Sequence, residues 1–269
     1  LAQRAFGVVS VSPARLVPAD LAGLCREAVV LALSRPWASF AIRPTREGTH
    51  PFTSHDVAVE AGQAVLDAAR KAGRAARVDL DRPDLELGVD VRGERAYLFL
   101  ERLPGSGGLP VGSQGTALCL LSDEASFVAA WLMMRRGCAV VTLHAGDTGS
   151  VPVEAVEALG RWGLPRDIEV LPVCTGTVTK ANLLEAAARV AAERGAIALV
   201  TGETLDAMPL AVPAAPMPVL RPVCGLDPEE YARLRNRIGL PAIEAKKVLD
   251  PRGRDTVESM LRLRRRVSA

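Results

Sequence analysis

Ala117-Leu118-Cys119-Leu120-Leu121-Ser122-Asp123-Glu124-Ala125-Ser126-Phe127-Val128-Ala129-Ala130-Trp131-Leu132-Met133-Met134-Arg135-Arg136-Gly137-Cys138-Ala139-Val140-Val141-Thr142-Leu143 carries the fold in miniature. Residues 117–121 are continuously apolar, 125–136 read as a helix, and 139–143 are apolar again. Strand, helix and strand in that order, without polar alternation in the strands, predict a parallel sheet buried on both faces. The pattern continues outward with helix 153–162, strand 168–173, helix 182–194, strand 196–200, a short strand 219–222 and helix 228–237. The expectation is an α/β Rossmann-like parallel-sheet domain. Ligands of such sheets lie at the carboxyl ends of the strands. That places the loops at Ser122, His144, Cys174 and Thr201 in view.

Upstream the pattern changes. Residues 5–11 read as an apolar strand, and Pro18-Ala19-Asp20 opens a helix to about residue 34. Residues 39–43 read as a strand ended by Pro44. A second helix runs to Lys71, with Ser54 as its N-cap and Gly73 beyond its end. Leu85-Glu86-Leu87-Gly88-Val89-Asp90-Val91 alternates with period two, turns at Arg92-Gly93-Glu94 and returns over 95–101 as a hairpin. Between the halves, Pro104-Gly105-Ser106-Gly107-Gly108-Leu109-Pro110-Val111-Gly112 reads as a linker with no regular element. Its glycine spacing does not match a dinucleotide-binding loop, and no strand–helix context surrounds it. The expected division is an α+β unit over 1–103, a linker over 104–116, the α/β domain over 117–245 and a basic C-terminal tail over 246–269.

Composition bounds the function. The chain has 269 residues with 33 basic against 31 acidic, so a globally basic nucleic-acid binder is excluded while a local basic patch is not. Aromatics make up 4%, which argues against recognition by rows of stacked rings. Five cysteines, an odd number with no CxxC pair, and three histidines support neither a disulfide framework nor a zinc site. A reducing cytoplasm is the expected compartment. No apolar run reaches the roughly 18 residues of a membrane span.

Specific strings then match a family. Phe6-Gly7-Val8-Val9-Ser10-Val11-Ser12-Pro13, Ser39-Phe40-Ala41-Ile42-Arg43 with Arg46, His50-Pro51-Phe52-Thr53-Ser54, Val78-Asp79-Leu80 and Pro83-Asp84-Leu85 stand in the first half. Gly107-Gly108-Leu109-Pro110-Val111-Gly112 follows, then Trp131-Leu132-Met133-Met134-Arg135-Arg136-Gly137, Thr201-Gly202-Glu203-Thr204 and Val219-Leu220-Arg221-Pro222. With these the chain resembles the tRNA 4-thiouridine sulfurtransferases, which join a THUMP domain to an ATP-pyrophosphatase domain of the PP-loop type. The resemblance spans about residues 5–240. It implies an α+β THUMP-like RNA-binding domain followed by an α/β domain of the adenine nucleotide hydrolase-like kind, and tRNA as partner. The ferredoxin-like domain that precedes THUMP in the family is expected either to be absent or to lie before Leu1.

Two departures qualify what the resemblance implies. The family's phosphate loop reads Ser-Gly-Gly-x-Asp-Ser, whereas the corresponding residues here are Ser122-Asp123-Glu124-Ala125-Ser126. A phosphate cradle needs close backbone approach and unusual dihedrals, which glycine supplies. Carboxylates in its place each oppose a phosphate by about 1–4 kcal/mol at 4 Å. The family's sulfur-transfer cysteine, after the segment matching Ile238-Gly239, has no counterpart beyond Cys224. Leu205-Asp206-Ala207-Met208-Pro209 also lacks the polar continuation of active members.

The candidate residues follow. Arg43, Arg46, Lys71, Arg74 and Arg77 are the candidate RNA contacts, since guanidinium suits phosphate geometry; solvated arginine and helix-end capping compete. Ser122, Asp123, Glu124, Ser126, Thr201, Gly202 and Glu203 are the candidate remnants of the nucleotide loop, with helix-entry capping competing at Ser122 and Ser126 and favourable placement in the helix dipole at Asp123 and Glu124. Cys174 reads as a small core or loop cysteine at a strand's carboxyl end and Cys119 as core; Cys224 has no identified base partner, and neither catalytic residues nor metal ligands are assigned. The basic residues Arg252, Arg254, Arg262, Arg264, Arg265 and Arg266 read as an RNA-facing strip or a solvated terminal helix. The leading expectation is a tRNA-binding protein that needs no cofactor and lacks ATP-dependent catalysis, with a homodimer and a sulfur-carrier or catalytic partner as further expectations. The first alternative is a divergent active sulfurtransferase, using ATP and magnesium, that receives sulfur from a separate carrier. The second is a non-catalytic subunit of a protein complex.

Overall fold

The structure is a computed structural model that describes residues 2–173, 178–206, 215–243, 254 and 256–268. The chain divides into two compact units, Ser10–Pro104 and a second made of the residues up to Val9 together with those from Gly105 onward.

In the first unit the strands are β1 (Ser10–Val11), β2 (Arg15–Pro18), β3 (Ser39–Glu47), β4 (Arg77–Val78), β5 (Leu85–Arg92), β6 (Arg95–Phe99) and β7 (Leu103–Pro104), with helices α1 (Leu21–Leu33) and α2 (Ser54–Lys71). Five strands form one sheet in the order β2-β6-β5-β3-β4, and β1 pairs antiparallel with β7. Leu24, Ala28 and Ala32 of α1 and Val57, Ala61 and Val65 of α2 are buried with Phe40, Ile42, Leu85, Leu87, Val89, Val91, Ala96 and Leu98. Strand side chains alternate in direction, so both helices cover one sheet face. Thr53, one residue before the expected Ser54, is the N-cap of α2. Its hydroxyl accepts from Asp56 N at 3.1 Å while Asp56 Oδ2 accepts from Thr53 N at 2.8 Å, a reciprocal capping box. The expected strand over 5–11 is reduced to Ser10–Val11, and Arg15–Pro18 forms the strand that enters the main sheet.

Asp84 fixes the start of the sheet. Its Oδ2 accepts from Ser39 N at 2.8 Å, Ser39 Oγ at 3.0 Å and Ala38 N at 3.1 Å. The Ser39 amide foremost, then its hydroxyl and the Ala38 amide, hold the Asp84 carboxyl below the usual carboxylate range. A group whose folded pKa is depressed contributes stability above its unfolded pKa, about 3.9 for aspartate. That contribution disappears as pH falls through the lower folded value. In urea denaturation at stepped pH, Asp84→Asn is therefore expected to be less stable at neutral pH and to lose less stability on acidification below about pH 4. Parallel curves for the two proteins would sink this assignment.

The second unit contains β8 (Thr116–Leu121), α3 (Glu124–Arg135), β9 (Ala139–Ala145), α4 (Val153–Gly160), β10 (Asp167–Leu171), α5 (Lys180–Glu193), β11 (Ala198–Val200), β12 (Val219–Leu220), α6 (Pro228–Ile238), α7 (Val257–Arg262) and β13 (Arg265–Ser268). The strand order is β12-β11-β8-β9-β10-β13, parallel except for β13 against β10. Two apolar clusters flank this sheet: one includes Trp131 and Leu159, the other Leu184 and Val190. Phe6 joins the first of them, with its ring centroid 5.4 Å from that of Trp131 and 5.9 Å from that of Trp162. This packing is why the first residues group with the α/β unit and not with the α+β unit expected over 1–103. Gly105, Gly107 and Gly108 are likewise held in this unit. Gly105 N donates to Val9 O at 2.8 Å, Gly107 N to Val8 O at 2.8 Å, and a Cβ on Gly108 would stand 2.2 Å from Arg135 O.

The expected basic tail is corrected in the same way. Arg265–Ser268 adds a strand to β10, Arg264 pairs with Glu169 and Glu193, and Arg266 pairs with Asp167 at 3.0 Å. These guanidiniums answer acids of the α/β unit. Arg252 lies outside the described residues.

Candidate functional site

The carboxyl end of β8 leads through Ser122 and Asp123 into α3. Asp123 is the N-cap of the helix, and its Oδ1 accepts from Ser126 N at 2.8 Å. Ser126 Oγ in turn accepts from Ser122 N at 2.9 Å and Asp123 N at 3.2 Å, and donates to Asp123 O at 2.6 Å. Three backbone amides of this turn are thus satisfied by the turn's own side chains. Glu124 is engaged as well: it accepts from Tyr231 Oη at 3.1 Å and from Arg235 Nε at 2.6 Å, both on α6.

Gly202 closes the turn from above. A Cβ there would stand 2.2 Å from Ser126 N and 2.6 Å from Ala125 C, so the two backbones are in direct contact. Thr201 is buried beside it, with its amide donating to Leu220 O at 3.0 Å. Glu203 turns away into a cluster of its own. It accepts from Lys180 Nζ and, at 2.6 Å, from Arg221 Nε, while Thr201 Oγ1 lies 3.4 Å away. The sequence-predicted Ser122, Asp123, Ser126 and Gly202 therefore meet, and Glu203 serves a separate ion cluster. Lys180 and Arg221 were not singled out by sequence reasoning. Each sits next to a strand end or a helix cap, a position shared by many surface cations.

Beside the turn lies a cavity of about 420 Å³ lined by Ser122, His144, Gly146, Asp147, Ser150 and Glu154 among others. His144 is buried at the end of β9. Its Nδ1 lies 2.7 Å from Leu121 O, which can only accept, so Nδ1 carries a proton. Its Nε2 lies 2.8 Å from Ser150 Oγ, which is also 2.8 Å from Asp147 O. The imidazole thus ties the loop after β9 to the end of β8. Among the described residues, the cavity lining contains Asp147 and Glu154 but neither lysine nor arginine.

Three of the described thiols are set against nucleophilic activation. Burial pushes the thiols of Cys25, Cys119 and Cys138 up from their ordinary value. A raised thiol pKa keeps sulfur in its unreactive form. Cys174 lies outside the described residues. No cluster of metal-ligating side chains occurs among the described residues. None of the described helices is long and apolar enough to cross a membrane.

The predicted RNA contacts occur at two separate places in the first unit. Arg43 donates to Leu80 O and pairs with Glu86 at 3.4 Å; Arg46 donates to Gly48 O at 2.7 Å. Arg74 donates to Arg35 O at 3.3 Å, Arg77 pairs with Asp79 at 2.8 Å, and Lys71 is exposed in the last turn of α2. Arg77 is in register with Ser39. Arg46 is seven residues further along β3, roughly 23 Å away at the rise of a strand. The five residues do not form one patch. Their exposed ion pairs are worth about 0–1 kcal/mol, so phosphate can still compete for them.

Comparison with known proteins places these features in context. The THUMP domain model matches residues 19–101, and the model described as thiamine biosynthesis protein (ThiI) matches residues 112–161. The tRNA sulfurtransferase of Pyrobaculum aerophilum is 36% identical over 90% of this chain and 55% of its own length. The chain thus spans about half of that relative. The probable tRNA sulfurtransferase of Methanocaldococcus jannaschii is 31% identical over 92% of this chain and 73% of its own. A crystal structure of a 4-thiouridine synthetase–RNA complex with bound ATP shares the fold. Its TM-score is 0.74 at 21% identity, covering 98% of this chain and 84% of that one.

Proposed function

The chain belongs to the tRNA sulfurtransferase family, and from that premise we propose that it binds tRNA without carrying out ATP-dependent thiolation itself. The closed turn at the start of α3 is the observation that carries the second half of this reading. A triphosphate at a strand–helix turn needs free backbone amides and neighbouring cations. Here the amides of Ser122, Asp123 and Ser126 are already bonded within the turn. Gly202 presses on its backbone, and the adjoining cavity presents carboxylates. Lys180 and Arg221 are turned to Glu203. ATP does not fit this donor set, and no reaction step is assigned to it.

A paired titration tests the proposal. Transfer RNA binding is expected to weaken steeply with salt, because each neutralised phosphate releases counterions. Calorimetry with ATP and magnesium is expected to give no binding heat. Micromolar ATP affinity, about 8 kcal/mol of binding free energy, would overturn the non-catalytic half. Failure to retain tRNA at low salt would overturn the RNA-binding half.

A second reading rests on the cavity of about 420 Å³ beside the turn. In it the chain is a divergent sulfurtransferase that accepts a nucleotide there and takes sulfur from a separate carrier. ATP-dependent thiolation of tRNA by the purified protein with a persulfide donor would favour this reading.

A further inference from the structure

The α/β unit contains a second hollow that shares no lining residue with the cavity beside the turn. It measures about 950 Å³ and lies between the end of α3, the residues that follow β12 and the segment 108–114. Leu109, Leu132, Met133, Leu220 and Leu226 give it an aliphatic lining. Arg135, Arg136 and Arg221 add cations, and among the described residues Glu230 is the one acid in its lining.

The walls are held in place by backbone. Leu109 N donates to Arg135 O at 3.0 Å, and Gln114 N donates to Gly137 O at 3.0 Å. A Cβ on Gly137 would stand 2.9 Å from Leu109 Cβ, so the segment lies directly against the turn that ends α3. Arg221 is already answered: its Nε donates to Glu203 at 2.6 Å and its Nη1 to Val219 O at 3.2 Å. Arg135 and Arg136 are not. The Arg135 guanidinium lies 5.6 Å from the Trp131 ring centroid. Among the described residues neither arginine makes an ion pair or a side-chain hydrogen bond. Cations at a helix end complement its dipole, but that role needs no aliphatic hollow beside them. Leu109 and Leu220 are 46% and 38% exposed, so the lining keeps apolar surface in water. Two unanswered guanidiniums against Glu230 leave one net positive charge. A single negative charge matches it, and a second would meet the Glu230 carboxylate.

We propose that this hollow binds a small amphipathic carboxylate, with an unbranched aliphatic chain against Leu109, Leu132, Met133 and Leu220 and its carboxylate held by Arg135 and Arg136. A guanidinium fork fits a carboxylate with two parallel hydrogen bonds. The flexible thioether of Met133 adapts to the path of a chain. A preformed, mainly apolar concavity with a few placed polar groups is the usual form of a small-molecule site. The inference stands on side chains of the α/β unit alone and does not rest on the tRNA-binding reading.

The test is calorimetry of the full chain with octanoate, hexanoate and octanol as probes. Octanoate is expected to bind about tenfold more tightly than hexanoate, the effect of two buried methylenes. It is expected to bind about tenfold more tightly than octanol, which cannot offer an ionised partner to arginine. Arg136→Gln is expected to weaken octanoate about tenfold and to leave octanol unchanged, a split that a merely structural role would not produce. Arg136→Lys keeps the charge and should recover part of the loss. Leu109→Asp places a carboxylate in the lining and is expected to abolish octanoate binding; Leu109 is exposed, so the fold should tolerate the change, and an unaltered melting temperature would verify this. Octanoate affinity weaker than about 10 mM, or no preference for octanoate over octanol, would overturn the assignment. Equal octanoate affinity in wild type, Arg136→Gln and Leu109→Asp would place the binding elsewhere and overturn it too. Self-association by light scattering that Leu109→Asp abolishes, with octanoate unbound by the wild type, would assign the hollow to a second copy of the chain instead.

Discussion

Replacing Glu203 by alanine is expected to lower the stability of the α/β unit by about 3 kcal/mol, the lower end of the cost of breaking a buried ion pair. Lys180 and Arg221 would lose their shared carboxylate while still largely out of water, at 22% and 14% side-chain exposure. Arg221 already has one buried nitrogen, Nη2, without a hydrogen-bond partner, so it has little further capacity to adjust. Lys180 keeps more access to solvent, which holds the cost below that of a fully buried pair. Thermal melting would show the loss as a fall of roughly 6–12 °C for a unit of this size. Replacing all three residues by methionine is expected to recover most of the stability, because the desolvation of three charges goes with them. A Glu203→Ala protein with wild-type melting temperature would mean that the cluster is not structural.

The second large effect is in the core. Trp131→Ala is expected to cost about 4 kcal/mol, as for a large aromatic removed from a packed site. Trp131 is fully buried, with its ring centroid 5.4 Å from Phe6 and 5.3 Å from Trp162, both edge-on. The guanidiniums of Arg135 and Arg237 lie 5.6 and 5.7 Å from its ring. It stands on the helix whose first turn closes at Asp123 and Ser126, so its loss loosens the support of that turn. Urea denaturation of Trp131→Ala, Phe6→Ala and the double variant should show the pair to be non-additive, since the two rings touch. Additive losses would mean that Phe6 packs independently of α3.

The α/β half was legible because its signal is continuous. Uninterrupted apolar strands such as 117–121 have one reading when helices separate them, and β8, β9, β10 and β11 follow with ends shifted by a few residues. The α+β half was less so at its margins. Arg15–Pro18 and Arg77–Val78 are short, largely exposed and rich in polar or proline residues, so neither carries alternation. Their pairing is imposed by β6 and β3. The same limit applied to the site. Helix-entry capping was legible at Ser126 because cap and partner are three residues apart, although the cap itself is Asp123, which the sequence offered only as a carboxylate at the helix start. Glu203 meets Lys180 and Arg221 from 23 and 18 residues away, a tertiary fact with no local signature. Leu109 and Arg135 looked like ordinary linker and helix-end residues until the bond from Leu109 N to Arg135 O set them side by side.

The pairing of Ser10–Val11 with Leu103–Pro104 makes the first unit a cassette. Its chain enters and leaves through neighbouring strands, while Val9 and Gly105, one residue outside on either side, are bonded to each other at 2.8 Å. Once the cassette has formed, its surroundings see about ninety-five residues as if they were a short turn, and the entropy of closing so long a loop, about 4 kcal/mol, is met within the cassette. The flanking segments can then join as near neighbours, whatever sequence fills the interval. A piece of chain with such ends can be lost, exchanged or transplanted during evolution without rethreading its host.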